Sequence, residues 1–416
     1  MISAENSSKS ITSYAKELFL SFSVVVVLLT MDRCLENMYF YFLYDTGKRY
    51  LDVFMSLYLH SHRYLTFLIP VVFVLWLIYN KFKVNYGILL PIAIIYLSYL
   101  LTSVVSSGYT SRWINKLQYP AVMYLFVTMM CSSKKNARRF FRIGVDLYII
   151  LLLLNTVFTL FPQLFSLFTD WTPDYFISAD NLTGFPLFFG ALFALLDSHF
   201  SKNSVRCCIY LVLFFFNLVL IHSIGSVIAA VIFAGYLLIP KVKQLFRKKS
   251  LFFFTILSLL FCACFVLSAF LYFHFDRVYY FLDPLTIAKE SLYIRFIIWN
   301  GLIDLILKKP FLGYGLGEKA EIFLRPDTSL YYNAHNAYLQ TLYEGGIVTL
   351  SAILLTLYIV SSKLRKSGDR NLVGIFLVIL FSDLIMMLSA IPSWYTWYPV
   401  LLISQIAVCT VGLPED

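Results

Sequence analysis

Arg295 and His335 lie forty residues apart in the one long polar stretch, residues 274–337, of a chain that is otherwise strongly apolar. A guanidinium stays charged at physiological pH and presents parallel N–H donors. It therefore suits a phosphate, or negative charge developing on one. An imidazole titrates near neutrality and can take the proton of an attacking hydroxyl. Asn336 follows His335 directly and is a residue type that caps helices. If it does so, a helix N-terminus lies beside His335, favours the neutral imidazole and helps to hold an anion. Glu344 begins an apolar run, where it orients His335, pairs with an Arg or marks a membrane interface. Gly345 and Gly346 follow it, and small residues there let a neighbouring helix come close. Arg325 in the same stretch and Arg112 in an earlier polar segment are further sources of positive charge.

Two other chemistries are weaker. Gly313-Tyr314-Gly315-Leu316-Gly317 has the spaced glycines of a nucleotide loop, but no strand precedes it, and a flexible turn out of a helix is the simpler reading. Metal binding needs clustered ligands. The only other His of the stretch is His274, some sixty residues earlier. Asp276, Asp283, Glu290, Asp304, Glu318, Glu321 and Asp327 do not gather around His335. No metal and no cofactor are expected.

The elements that position these residues follow from periodicity. Arg295, Ile298, Trp299, Leu302 and Ile306 recur at helical spacing, Lys308 and Lys309 complement a helix C-terminus, and Pro310 ends it. An amphipathic helix lying on a membrane surface is expected. Elsewhere, 60% hydrophobic and 13% charged residues are far from a soluble composition, so lipid must solvate the chain. The aromatic share of 18% fits greasy helices with belts at both interfaces. About twelve membrane helices are expected near 18–32, 64–79, 86–107, 117–131, 143–169, 185–199, 207–223, 225–240, 251–273, 338–361, 372–390 and 399–413. The first is read as an uncleaved helix. The whole, 1–416, is one integral membrane domain, with 274–337 as its extracytoplasmic catalytic loop.

Charge placement orients it. With a cytoplasmic N-terminus, 20 of the 33 Lys and Arg fall on inner segments, most densely at Lys134–Arg142 and Lys241–Lys249. Seven of the other 13 lie in 274–337, where the positive-inside rule is weak. Both termini are then cytoplasmic. The net charge of +10 is topological in this reading and implies no nucleic acid. Of seven Cys only Cys34 reaches an outer segment, which leaves no intramolecular disulfide there. Asp197 and Asp383, in or near spans, are further candidates for function.

Arg295-Phe296-x-x-Trp299, Pro310-x-x-Gly313-x-Gly315, His335-Asn336-x-Tyr338-Leu339 and Glu344-x-Gly346, in that order before a membrane span, resemble the signature of the O-antigen polymerase and ligase family. The resemblance implies a metal-independent membrane glycosyltransferase with a GT-C-like, all-α polytopic fold in the bacterial inner membrane. It implies donors and acceptors linked to undecaprenyl diphosphate, and as companions a chain-length regulator and a flippase. It carries His335 and Arg295 over as the His and Arg of the family's outer loop, the expected catalytic residues. Read from their own chemistry and placement, Arg295, Asn336, Arg325, Arg112 and Glu344 are the residues expected to serve diphosphate and substrate. A polymerase of O-antigen or capsular repeat units leads, and a ligase passing glycan to lipid A core follows. From another class, a transporter of lipid-linked oligosaccharide would show related halves, and no repeat is evident. The chain departs from the family where relatives carry a Ser-Arg pair: it has His222-Ser223-Ile224-Gly225-Ser226. Where relatives carry an earlier Arg before a Gly, it has Asn181-Leu182-Thr183-Gly184.

Overall fold

The computed structural model describes residues 21–28, 49–106, 110–167, 182–221, 223–274, 290–317, 320–325, 328–390, 397–411 and 413. Asn181, His222, Cys34 and most of the turns at 170–184 and 391–398 lie outside them, as do the side chains of Arg112 and Arg325. After a helical stretch at 21–28 the helices are α1 (Arg49–Tyr79), α2 (Leu89–Ser106), α3 (Thr110–Met130), α4 (Lys134–Leu160), α5 (Gly184–Ser201), α6 (Val205–Leu220) and α7 (Ile224–Leu238). They continue with α8 (Pro240–Lys248), α9 (Leu251–His274), α10 (Glu290–Lys308), α11 (Ala337–Arg365), α12 (Arg370–Met386) and α13 (Tyr398–Val411). A two-stranded antiparallel hairpin, β1 (Ala320–Arg325) and β2 (Thr328–Tyr332), stands between α10 and α11.

Among the described residues five helices, α2, α4, α5, α9 and α11, are long and apolar enough to cross a membrane. The pair α7 and α8, bent by 101°, would be a sixth. Their lipid-facing surfaces are plain: on α2, Leu90, Ile94, Leu97 and Leu101 are exposed, while Ser98, Thr102 and Ser103 are buried. A soluble helix would be arranged the other way round. The protein is a multi-pass membrane protein.

The chain groups into two compact units, 1–85 with 122–222 and 412–416, and 86–121 with 223–411. In the first, Phe140, Tyr148 and Phe189 pack around Phe193 with centroids 5.0–5.9 Å away. Gly144 leaves the room for it, since a Cβ there would meet the Phe193 ring at 2.4 Å. Asn155 donates to Asn217 at 2.8 Å inside this unit, a pairing that buried amides in an apolar bundle require. Asp197 is buried between Arg142 (3.9 Å) and Arg206 (4.0 Å), an ion-paired placement that explains a carboxylate there without a role in chemistry. The second unit contains every candidate of the polar stretch. Asp383 is buried there on α12.

Candidate active site

The helix expected around Arg295 is present as α10. Its apolar face does not rest on lipid, however. Phe296, Ile298, Trp299 and Leu302 are buried against Ala269 and Tyr272 of α9 and Leu339 and Tyr343 of α11. The periodicity correctly marks one apolar face, but the neighbouring helices offer that face a closer-packed partner than headgroups do. Arg295 itself is half-buried. Burial lowers its pKa, and the guanidinium nevertheless stays charged in the physiological range.

His335 is exposed and has a φ of 47°, in the left-handed region that a non-glycine residue seldom occupies. Such conformations persist only where the surroundings impose them, and they gather at functional sites. Both flanks of His335 are pinned. Before it, Ala334 N–H donates to Gln340 Oε1 at 2.9 Å, and Ala334 C=O accepts Trp299 Nε1–H at 2.8 Å. After it, Asn336 is extended (φ −154°, ψ 116°) and caps α11, its Oδ1 accepting from Tyr338 N and Leu339 N at 3.0 and 3.1 Å. The Asn336 amide donates to Leu388 O at 3.1 Å, just beyond α12. Trp299 is one turn from Arg295 on α10, so its bond to Ala334 ties the arginine's helix to the histidine's backbone.

The two side chains are close enough to interact electrically. Partial desolvation by the surrounding protein lowers the His335 pKa, and the Arg295 charge lowers it further, although the residue keeps solvent access. Both causes favour the neutral, proton-accepting imidazole.

Asn336, expected among the substrate-binding residues, has its amide engaged as a cap. The N-terminus of α11 offers an anion less than expected, because its first N–H groups are already taken. Ala337 N bonds Met387 O at 2.9 Å, Tyr338 and Leu339 bond the cap, and Gln340 N bonds Asn336 O at 2.9 Å. What remains there is the field of the helix, not a row of donors.

Glu344 is buried, and its Oε1 accepts from Gly317 N at 2.8 Å and from Gln340 Nε2 at 3.0 Å. It therefore holds the glycine segment, which is a docked loop and not a flexible turn. Tyr314 N bonds Tyr343 O and Gly315 N bonds Glu344 O, both at 2.8 Å, and Ile347 N bonds Pro310 O at 2.9 Å. Gly346 (φ 62°, ψ −167°) breaks α11 at this point. A Cβ there would meet Phe311 O at 2.2 Å, and one at Gly313 would meet Tyr343 O at 2.5 Å. The expected close approach at Gly346 is thus to a loop and not to a helix.

A continuous path of hydrogen bonds runs from Gly317 through Glu344 and Gln340 to Ala334, and from there to Trp299. Sequence reasoning missed Gln340 as a positioning residue. The signal available was its spacing, one turn before Glu344 on the same helix face. Arg112 lies on α3, and Arg325 ends β1. At the turn without an Arg, Ser223 caps α7, its Oγ accepting from Ser226 N at 3.4 Å and from Ser226 Oγ at 3.0 Å. Among the described residues no group of three or more His, Cys, Asp or Glu is placed to hold a metal ion.

Compared with known families, residues 209–354 match the O-antigen ligase family. The match covers about a third of the chain. No curated protein matches the chain. The matched segment takes in Arg295, Arg325, His335, Asn336 and Glu344, and leaves out Arg112. It starts in α6 and ends within α11, beyond the break at Gly346.

Proposed function

We propose that this protein is a polymerase that joins undecaprenyl diphosphate-linked repeat units into O-antigen or capsular polysaccharide at the outer face of the inner membrane. The carrying observation is the juxtaposition of a fixed cation, Arg295, with a backbone-constrained His335 whose pKa partial desolvation and that cation both lower. In the proposed reaction the acceptor hydroxyl oxygen attacks the anomeric carbon of the donor glycan, and the bond from that carbon to the diphosphate oxygen breaks. The hydroxyl proton passes to His335, and the electron pair leaves with undecaprenyl diphosphate. Arg295 offsets the charge that grows on the departing oxygen, as a preorganised electrostatic group does in a partly desolvated site. His335 must be neutral to act, which its environment favours. Asn336, Trp299, Gln340 and Glu344 hold the pair in place. Arg325 and Arg112 are proposed to extend the diphosphate-binding surface.

Purified protein given lipid-linked repeat units in excess chelator should produce a ladder of lengthening lipid-linked glycans. Transfer confined to a lipid A core acceptor would instead make the protein a ligase. Loss of activity in chelator, restored by magnesium or manganese, would overturn the proposal that Arg295 takes the metal's place at the diphosphate.

A further inference from the structure

The second unit gathers positive charge at the end remote from His335. Helix α8 begins at Pro240, turns 101° from α7, and carries Lys241, Lys243, Arg247 and Lys248, with Lys249 just after it. No acidic residue occurs in 240–250. Exposed Lys363, Arg365, Lys366 and Arg370 lie where α11 ends and α12 begins, with Asp369 the one carboxylate among them. That these groups share one end is shown by contacts. A Cβ on Gly374, one turn into α12, would meet Arg247 Cγ at 3.2 Å, and Phe252 N, at the start of α9, donates to Ser361 Oγ of α11 at 3.3 Å. The other end of α12 meets Asn336 through Leu388. From Arg370 to Met387 is roughly 25 Å of helix at 1.5 Å per residue, close to the hydrocarbon thickness of a bilayer.

Helix α8 is fixed in this position. Its Phe246 is buried, stacked on Phe254 at 4.5 Å and 9°, and set edge-on to Tyr236 at 5.7 Å. The opposite face shows Lys241, Leu245 and Lys248, and the bend beside it exposes Leu238 and Ile239. Exposed aliphatic groups interleaved with cations, on a helix nearly perpendicular to the span before it, suit the boundary between acyl chains and headgroups. A zwitterionic headgroup would leave the excess charge uncompensated, and an anionic one answers it.

We propose that α8, with the adjoining cations of α11 and α12, is a binding surface for anionic phospholipids on the membrane face opposite His335. The test uses the full-length protein in neutral detergent, with native mass spectrometry of bound phosphatidylglycerol and phosphatidylcholine. Wild type should retain phosphatidylglycerol preferentially. Each cation near an anionic surface contributes about fivefold, so Lys241→Gln, Lys248→Gln and Lys249→Gln together should weaken that retention by about a hundredfold. The matching triple Arg variant should keep it, which separates charge from misfolding. A control with Lys134→Gln, Lys135→Gln and Arg138→Gln in the other unit should keep most of it. Equal retention of both lipids by wild type, or an equal loss in the control, would overturn the proposal. Displacement by millimolar glycerol phosphate would also overturn it, by showing a site for soluble anions.

Discussion

At His335 the positive φ, the cap that follows and the doubly bonded Ala334 before it fix where the imidazole stands. None of this could be read from the residue types. The sequence supplies a His beside an Asn, and capping by the Asn follows from its chemistry. The left-handed backbone and the pinning of Ala334 involve residues 6 and 35 positions from Ala334, Gln340 and Trp299. The electrostatics predict a pH signature. Since partial desolvation and then Arg295 lower the His335 pKa, the acid limb of log(kcat/KM) should fall below the ordinary imidazole value of about 6.5. Arg295→Gln removes a positive charge, so the limb of its residual rate should move to higher pH. It should still stop short of the ordinary value, because the partial desolvation persists. A limb that stays in place or moves down would detach His335 from Arg295. Arg295→Lys should recover little of the rate lost in Arg295→Ala, about 10²–10³-fold, because a point charge lacks the bidentate fork. Recovery to near wild type would show that charge alone suffices.

Among the elements, α10 and α11 were legible as helices, and the stop at Pro310 agrees with α10 ending at Lys308. What α10 packs against was not legible, since an apolar stripe is the same for a lipid and a protein partner. The hairpin β1–β2 was missed, although Pro326-Asp327 between short alternating runs is a turn signal. The break in α11 was missed because Gly345-Gly346 inside an apolar run reads equally as a packing notch. Gly346→Ala tests it directly. A Cβ would strike Phe311 O, and φ 62° strains any L side chain, so the substitution should destabilise the protein by more than ~1 kcal/mol and lower its Tm. An unchanged Tm would mean that the loop at 310–317 is not docked as described. Gln340→Leu removes the acceptor of Ala334 N and a donor to Glu344. It should cost about 1–3 kcal/mol, measured by thermal unfolding in detergent, and should lower kcat more than it raises KM. A change confined to Tm, with kcat intact, would limit Gln340 to a structural part.

For the whole molecule, composition alone identified a membrane protein, because no arrangement of a chain this apolar hides its surface from water. Individual spans were less legible: α7 ends against Pro240 with a 101° turn, and hydropathy carries no angle. Orientation rests on charge. A Cys introduced at Ser329 should be labelled by an impermeant reagent from outside, and one at Lys248 should not. The reverse pattern would place His335 on the cytoplasmic face and end the proposed outer-face reaction. The most direct measurement is the initial rate of glycan transfer by purified His335→Ala, beside wild type, on defined lipid-linked repeat units in chelator. Loss of the general base should slow transfer by about 10²–10⁴-fold, while the variant keeps its wild-type elution profile and Tm within a few degrees. A variant equally well folded that builds the same ladder at a rate near wild type would contradict the assignment of the chemistry to His335.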